Sequence, residues 1–418
     1  MKVKLDVIAG PHAGRRFEFD RHETFLVGRS PDAHLQLAED PHFSRHHFLL
    51  EFNPPRCLLR NLNSRNGTLV NGQRVESCFL KDGDLISGGR TKIRFTQADQ
   101  VDADPLFSGP ARAARSRPAD QAVTSTDTLD EHVLDFQPLP DYHILRHIGE
   151  GKMGTVYQAR QTSTGLEFAV KMIAPESSAS QKGVDMFLRE VAVLSQLNHP
   201  RIVRLHETGT AAGLLYFVMD YVRTTNVREL LKGRSEAFRV RTYCAILVQV
   251  LEGLAHAHSL SFVHRDLKPG NILLSASRDS LHVKLADFGL AKNYTNSGLS
   301  GMTMEGELKG TCAFMPPEQV LHSRDAQPTV DIYSAGATLY YFLAHDYPHA
   351  FQSGKHPLAT VLEEEPVPLA NRCPRLPAGL AEIVHKALAR QPADRYQTAD
   401  EMRIALQPYA QVRRDTKP

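Results

Sequence analysis

Short segments with alternating apolar and polar residues fill the first part of the chain, among them Phe48 to Phe52 and Thr68 to Val70. Turn signals at Asn66-Gly67, Asn71-Gly72 and Asp82-Gly83 punctuate them. Strands of this kind predict an all-β sandwich or barrel over residues 1–97. From 98 to 140 the pattern dissolves into Ala, Arg, Pro, Asp, Ser and Thr, the composition of a flexible linker. Order resumes at Tyr142, and Ile148-Gly149-Glu150-Gly151-Lys152-Met153-Gly154-Thr155-Val156 reads as strand, tight turn, strand. In the next strand, Phe168 to Ile173, Lys171 shares a face with Ala169 and Ile173. Residues 184–197 place apolar side chains at helical spacing, with Glu190 on the inward stripe. A second helix, Tyr243 to His258, aligns Ile246, Leu247, Val250, Leu251 and Leu254. A second domain is expected over 141–410, its strand-rich lobe ending near 221 and its helical lobe starting near 222, with a short tail at 411–418.

A lysine and a glutamate on apolar faces are each costly alone, and pairing Lys171 with Glu190 resolves both. Between two later apolar runs stands Val263-His264-Arg265-Asp266-Leu267-Lys268-Pro269-Gly270-Asn271, and Asp287-Phe288-Gly289 comes after it. Phosphoryl transfer needs a carboxylate near the attacking hydroxyl, a cation near the transferred phosphate, and oxygen ligands for Mg²⁺. Asp266, Lys268, Asn271 and Asp287 meet that list, and one or two carboxylates plus phosphate oxygens suit magnesium. The glycine-rich turn alone is a weak signal whose rival, a dinucleotide fingerprint, requires a following helix; here Thr155 to Ala159 continues as a strand.

These segments resemble the catalytic loop, metal motif and glycine-rich loop of eukaryotic-like Ser/Thr protein kinases. The resemblance implies a bilobal α+β kinase fold that uses ATP and Mg²⁺. It makes Asp266 the residue that orients the substrate hydroxyl and Lys268 the stabiliser of the transferring phosphate. Asn271 and Asp287 become the metal ligands, and Lys171 with Glu190 the nucleotide-positioning pair. The nucleotide set is Ile148 to Val156, Ala169, Lys171, Asp220, Val222 and Leu273, with Met219 as gatekeeper. The activation segment runs to Pro316-Pro317-Glu318, with Pro316 where the family usually has alanine; Thr303 and Thr311 are its marked threonines. Asp331 resembles the aspartate that anchors the catalytic loop, and Arg395 the partner of Glu318. The rival reading is a pseudokinase scaffold that only binds phosphoproteins; no residue of the family's set is missing.

In the first domain, Val27-Gly28-Arg29-Ser30, Phe43-Ser44-Arg45-His46-His47 and Asn61 to Thr68 resemble the signature loops of a forkhead-associated (FHA) domain, in family order. This implies a phosphothreonine-peptide site in which Arg29 and Ser44 grip phosphate, Arg45 and Arg65 assist, and Asn66 holds the peptide backbone. Asn61 and Asn63 stand where the family often has an acid and a glycine. In the linker, Thr124 and Thr128 lie among acids and suit self-capture by that site after phosphorylation.

A chain of 418 residues with 42% hydrophobic residues supports several cores, and a net charge of +2 disfavours a nucleic-acid partner. Five scattered cysteines read as free thiols in a reducing compartment. Neither a signal sequence nor an apolar run of about eighteen residues stands out, so a cytoplasmic protein without a membrane span is expected. Expected partners are phosphothreonine proteins, through the first domain, and protein Ser/Thr substrates.

Overall fold

The computed structural model describes residues 2–54, 56–98, 139–151, 154–173, 191–277, 280–288, 312–321 and 326–410, with Val184, Leu188 and Gly310. Glu190, Lys152, Met153, Thr303 and Thr311 lie outside the described residues, as do the linker threonines Thr124 and Thr128.

Residues 2–98 form a sandwich of two sheets. One has six strands, ordered Arg16–Phe19, Lys2–Ala9, Thr91–Ala98, Leu85–Gly88, Thr68–Val70 and Gln73–Val75. The other has five, ordered Leu35–Gln36, Glu23–Gly28, Phe48–Asn53, Arg56–Asn61 and Ser77–Phe79. Asn71 and Gly72 both take left-handed backbone (φ 52° and 82°), which makes the two-residue hairpin turn that their sequence signals. Phe25, Val27, Phe48, Leu50 and Phe52 fill the space between the sheets with Leu5, Ile86, Ile93 and Phe95.

The alternation expected of Phe48 to Phe52 is absent from its burial. Leu49 on the outward face is buried too, and Leu26 between Phe25 and Val27 behaves alike. The reason is that those outward leucines belong to a second apolar cluster, separate from the sandwich core.

The second domain opens with a five-stranded antiparallel sheet, ordered Tyr142–Gly151, Gly154–Gln161, Glu167–Ile173, Leu214–Asp220 and Leu205–Ala211. Gly154 is required by close packing. At φ 155° its backbone runs so near the next strand that a Cβ would sit 1.9 Å from the Met172 carbonyl. Helices dominate the described chain beyond Asp220. The longest, Glu236–Ser259, is capped by the Ser235 hydroxyl and buries the Ile246, Leu247, Val250, Leu251 and Leu254 stripe completely. It lies against Thr329–Ala344 and Ala399–Ala410, and the two-stranded sheet Ile272–Ala276 with Leu281–Leu285 packs on it. Among the described residues, no helix is long and apolar enough to cross a membrane.

Candidate active site and phosphopeptide loops

The loop around Asp266 is set by residues outside the set expected to carry the chemistry. Asp331, fully buried near the start of the helix Thr329–Ala344, accepts from the backbone N–H of His264 (2.7 Å) and of Arg265 (2.8 Å). His258 Nε2 lies 2.8 Å from the same carboxylate. Burial alone pushes an acid up, but these hydrogen bonds prevail and hold Asp331 below the usual carboxylate range. Arg265 is thereby kept at φ 66°, a left-handed conformation that a non-glycine residue holds only when its surroundings impose it.

His264 is buried and bridges two parts of the site. Its Nε2 donates to the Ala286 carbonyl (3.0 Å), so Nδ1 is the acceptor that faces the Asp266 N–H. Ala286 N–H donates in turn to the Asn271 carbonyl (2.9 Å). Both backbone groups of the residue before Asp287 are therefore fixed by the catalytic loop, and Asp287 itself sits at φ 60°.

Lys268 and Asn271 both converge on Asp266. Lys268 Nζ lies 2.8 and 3.1 Å from the two Asp266 carboxylate oxygens. Asn271 Nδ2 donates to the Asp266 carbonyl (2.7 Å) and carboxylate (3.0 Å), which spends its amide nitrogen. Lys171 is buried at 6% exposure in the middle of the sheet, and its Nζ donates to Asp287 Oδ1 at 2.8 Å. An ammonium that deep needs an anion, and Asp287 supplies it in this structure.

Several described residues of the expected nucleotide set lie on neighbouring strands of the five-stranded sheet. Gly149, Glu150 and Gly151 pair with Val156, Thr155 and Gly154, and Val156 pairs with Lys171 on the next strand. Ala169 lies opposite Met219. The stretch after Asp220 returns to the lower lobe, where Thr225 N–H donates to the Leu274 carbonyl beside Leu273. The Asp220 carboxylate is spent on Lys284 (3.0 Å) and His206 (2.8 Å).

Below the site, Arg395 grips Glu318 through two hydrogen bonds of 2.6 and 2.8 Å and donates also to the carbonyls of Thr329, Ala389 and Arg390. Gln319, on the same short helix Pro317–Leu321, donates to the Arg265 carbonyl at 2.7 Å. Sequence reasoning missed Gln319, because its partner lies 54 residues earlier and no local pattern marks it.

In the sandwich, the three signature loops meet at one end. Gly28 passes so close to the second loop that a Cβ would lie 2.0 Å from the Arg45 carbonyl. Arg29 and Ser30 N–H donate to the Ser44 and Arg45 carbonyls, both at 3.0 Å. The Ser44 hydroxyl accepts from Arg65 N–H (2.9 Å), and Asn66 Nδ2 donates to the His42 carbonyl (2.7 Å). Asn61 does the accepting an acid would do, taking bonds from Ser64 and Thr68, and also donates to Glu76. Asn63 adopts φ 56°, the conformation for which a glycine is usual.

The model of the protein kinase domain matches residues 142–406, and that of the FHA domain matches residues 25–89. The chain belongs to the Ser/Thr protein kinase family and carries an FHA domain ahead of its kinase domain. It is similar to the probable serine/threonine-protein kinase SCO3848 of Streptomyces coelicolor, 33% identical over 267 residues, 62% of this chain and 38% of that protein. It is also similar to the serine/threonine-protein kinase PknB of Mycobacterium tuberculosis, 34% identical over 270 residues, 63% of this chain and 42% of that protein. This chain thus matches less than half the length of these relatives. The kinase domain of Mycobacterium tuberculosis PknI shares the fold, with a TM-score of 0.50 at 24% identity over 68% of this chain and 100% of that one.

Proposed function

We propose that this protein transfers the γ-phosphate of ATP to Ser and Thr hydroxyls of proteins, and that its FHA domain binds phosphothreonine peptides to recruit substrates or regulate the chain itself. The observation that carries the catalytic half is the convergence of Lys268 and Asn271 on Asp266 in a loop pinned by Asp331.

In this reading the Asp266 carboxylate orients the attacking hydroxyl and takes its proton, and Lys268, already beside it, stabilises charge on the transferring phosphate. Lys171 orients the nucleotide phosphates. The Asn271 and Asp287 oxygens make a hard donor set that suits magnesium, which when bound neutralises phosphate charge. Arg29, Ser44 and Arg65 converge on one end of the sandwich and supply donors for a phosphate, while Asn66 braces the loop beside them. A cytoplasmic location fits five cysteines that form no disulfide, of which burial pushes Cys244 up to about 12.

The test is incubation with labelled ATP and Mg²⁺, followed by phosphosite mapping. Asp266→Asn, Lys171→Ala and Asp287→Asn should each lower incorporation by at least about 10³-fold with unchanged circular dichroism. Wild-type turnover in any of the three sinks the assignment.

A further inference from the structure

The central strands of the five-stranded FHA sheet, Glu23–Gly28, Phe48–Asn53 and Arg56–Asn61, are largely buried on both faces. The inner face of the sheet makes the sandwich core, whereas Leu26, Ala33, Leu49 and Leu62 point outward into a cluster with Cys312, Val320, Leu358, Ala359, Val361 and Leu362 of the kinase domain. Leu26, Leu49 and Leu62 are 0%, 2% and 3% exposed. A sheet with one solvated face would leave them wet. Polar contacts ring this cluster. The Thr24 hydroxyl lies 3.0 Å from the Leu321 carbonyl and 3.2 Å from that of Val320. Asn63 Nδ2 donates to the Gly354 carbonyl at 2.7 Å, a bond the family's usual glycine lacks the atoms to make.

The most strongly charged contact lies at the phosphopeptide loops. Glu363, at the end of the helix Pro357–Glu363, places Oε2 3.1 Å from Arg45 Nη2 and Oε1 3.0 Å from His46 Nδ1. Lys355 Nζ shares Oε2 at 3.0 Å, and the other His46 nitrogen faces Asp32. Arg45 directly follows Ser44, and its side chain remains 64% exposed. A carboxylate of the kinase domain therefore holds a guanidinium at the edge of the proposed phosphate site. A phosphate dianion offers that guanidinium more charge and more acceptor oxygens than a carboxylate already shared with Lys355.

We propose that the outward face of this sheet is a docking surface for the kinase domain of the same chain, and that Glu363 competes with a phosphothreonine peptide for Arg45. Docking and peptide binding then oppose each other. Resting on the phosphopeptide reading above, the competition adds that kinase-domain contacts tune the affinity of that site.

The test uses the full chain and a mixture of phosphothreonine peptides randomised at their flanking positions, with the unphosphorylated mixture as control. Glu363→Gln and Asn63→Gly, the latter keeping the left-handed turn, should each raise peptide affinity, Glu363→Gln by at least about fivefold. In the wild-type chain, saturating peptide should speed hydrogen exchange in 317–321 and 357–363. Equal affinity in all three chains, with exchange unaltered by peptide, overturns the competition and leaves the phosphopeptide reading standing. Absence of phosphate-dependent binding in every chain overturns both together. Unchanged exchange of 357–363 in Leu49→Asp, with the sandwich still folded by circular dichroism, overturns the docking surface.

Discussion

The candidate catalytic loop and the loops proposed to take a phosphopeptide are both irregular backbone held in a fixed shape, but they are held differently. Around Asp266, support comes from buried and half-buried side chains outside the set proposed to carry the chemistry: Asp331, His258, His264, Gln319 and the Arg395–Glu318 pair. Around Arg29, support comes from backbone bonds and from the side chains proposed to touch the ligand, since Ser44 and Asn66 each brace a neighbouring loop. The kinase site can therefore lose its shape while every chemical group is intact. In the FHA domain, removing a proposed ligand contact should also loosen a loop.

The largest expected effect is at Asp331. Asp331→Asn leaves two backbone N–H donors and His258 without their charged partner, and should destabilise the kinase domain by roughly 3 kcal/mol or more. Activity should fall with it, measured by thermal unfolding beside phosphate transfer; an unchanged melting temperature would contradict the division of labour. Ser44→Ala should lower stability by only about 1 kcal/mol, through the lost Arg65 bond, yet reduce phosphopeptide affinity about tenfold. Calorimetry of both quantities in one variant shows whether support and binding coincide.

A pH series sharpens the contrast between the two domains' contact and their interiors. The His46 hydrogen bond, with help from Lys355 and Arg45, draws the Glu363 carboxyl down from 4.5 to about 2. A depressed acid stabilises the folded form above its unfolded pKa and loses that contribution as pH falls toward the folded value. The melting difference between wild type and Glu363→Gln should thus be full at about pH 6 and shrink by about pH 3. The smallest effect belongs to Thr24→Val, which keeps the shape and removes one hydroxyl from the domain contact, costing under about 1 kcal/mol. Hydrogen exchange confined to 317–321 would register it.

Legibility in the sequence depends on distance along the chain. Asp266, Lys268 and Asn271 are readable because their contacts close within five residues. The anchors at Asp331 and Arg395 are reached only by resemblance, since no local pattern points across 66 or 77 residues. The partner expected for Lys171, Glu190, lies outside the described residues, and the one seen here is Asp287, 116 residues away. Phe25-Leu26-Val27 and Phe48-Leu49-Leu50 do carry a signal. Continuous apolar runs belong to strands covered on both sides, whereas an alternating reading assigns one face to water. Glu363 stands in a run with Glu364 and Glu365 and has partners more than 300 residues earlier, so nothing nearby sets it apart.

The covered leucines also bear on biosynthesis. Thr24 meets its partners at Val320 and Leu321, 296 and 297 residues further on, so the ribosome completes the sandwich long before it makes what covers the outer face. At about 5 to 20 residues per second, the nascent domain exposes Leu26, Leu49 and Leu62 for roughly 15 to 60 s. During that interval the unfinished chain presents a sticky sheet to other nascent chains and to holdase chaperones, and the rate of translation, rather than any property of the finished molecule, sets how long it stays vulnerable.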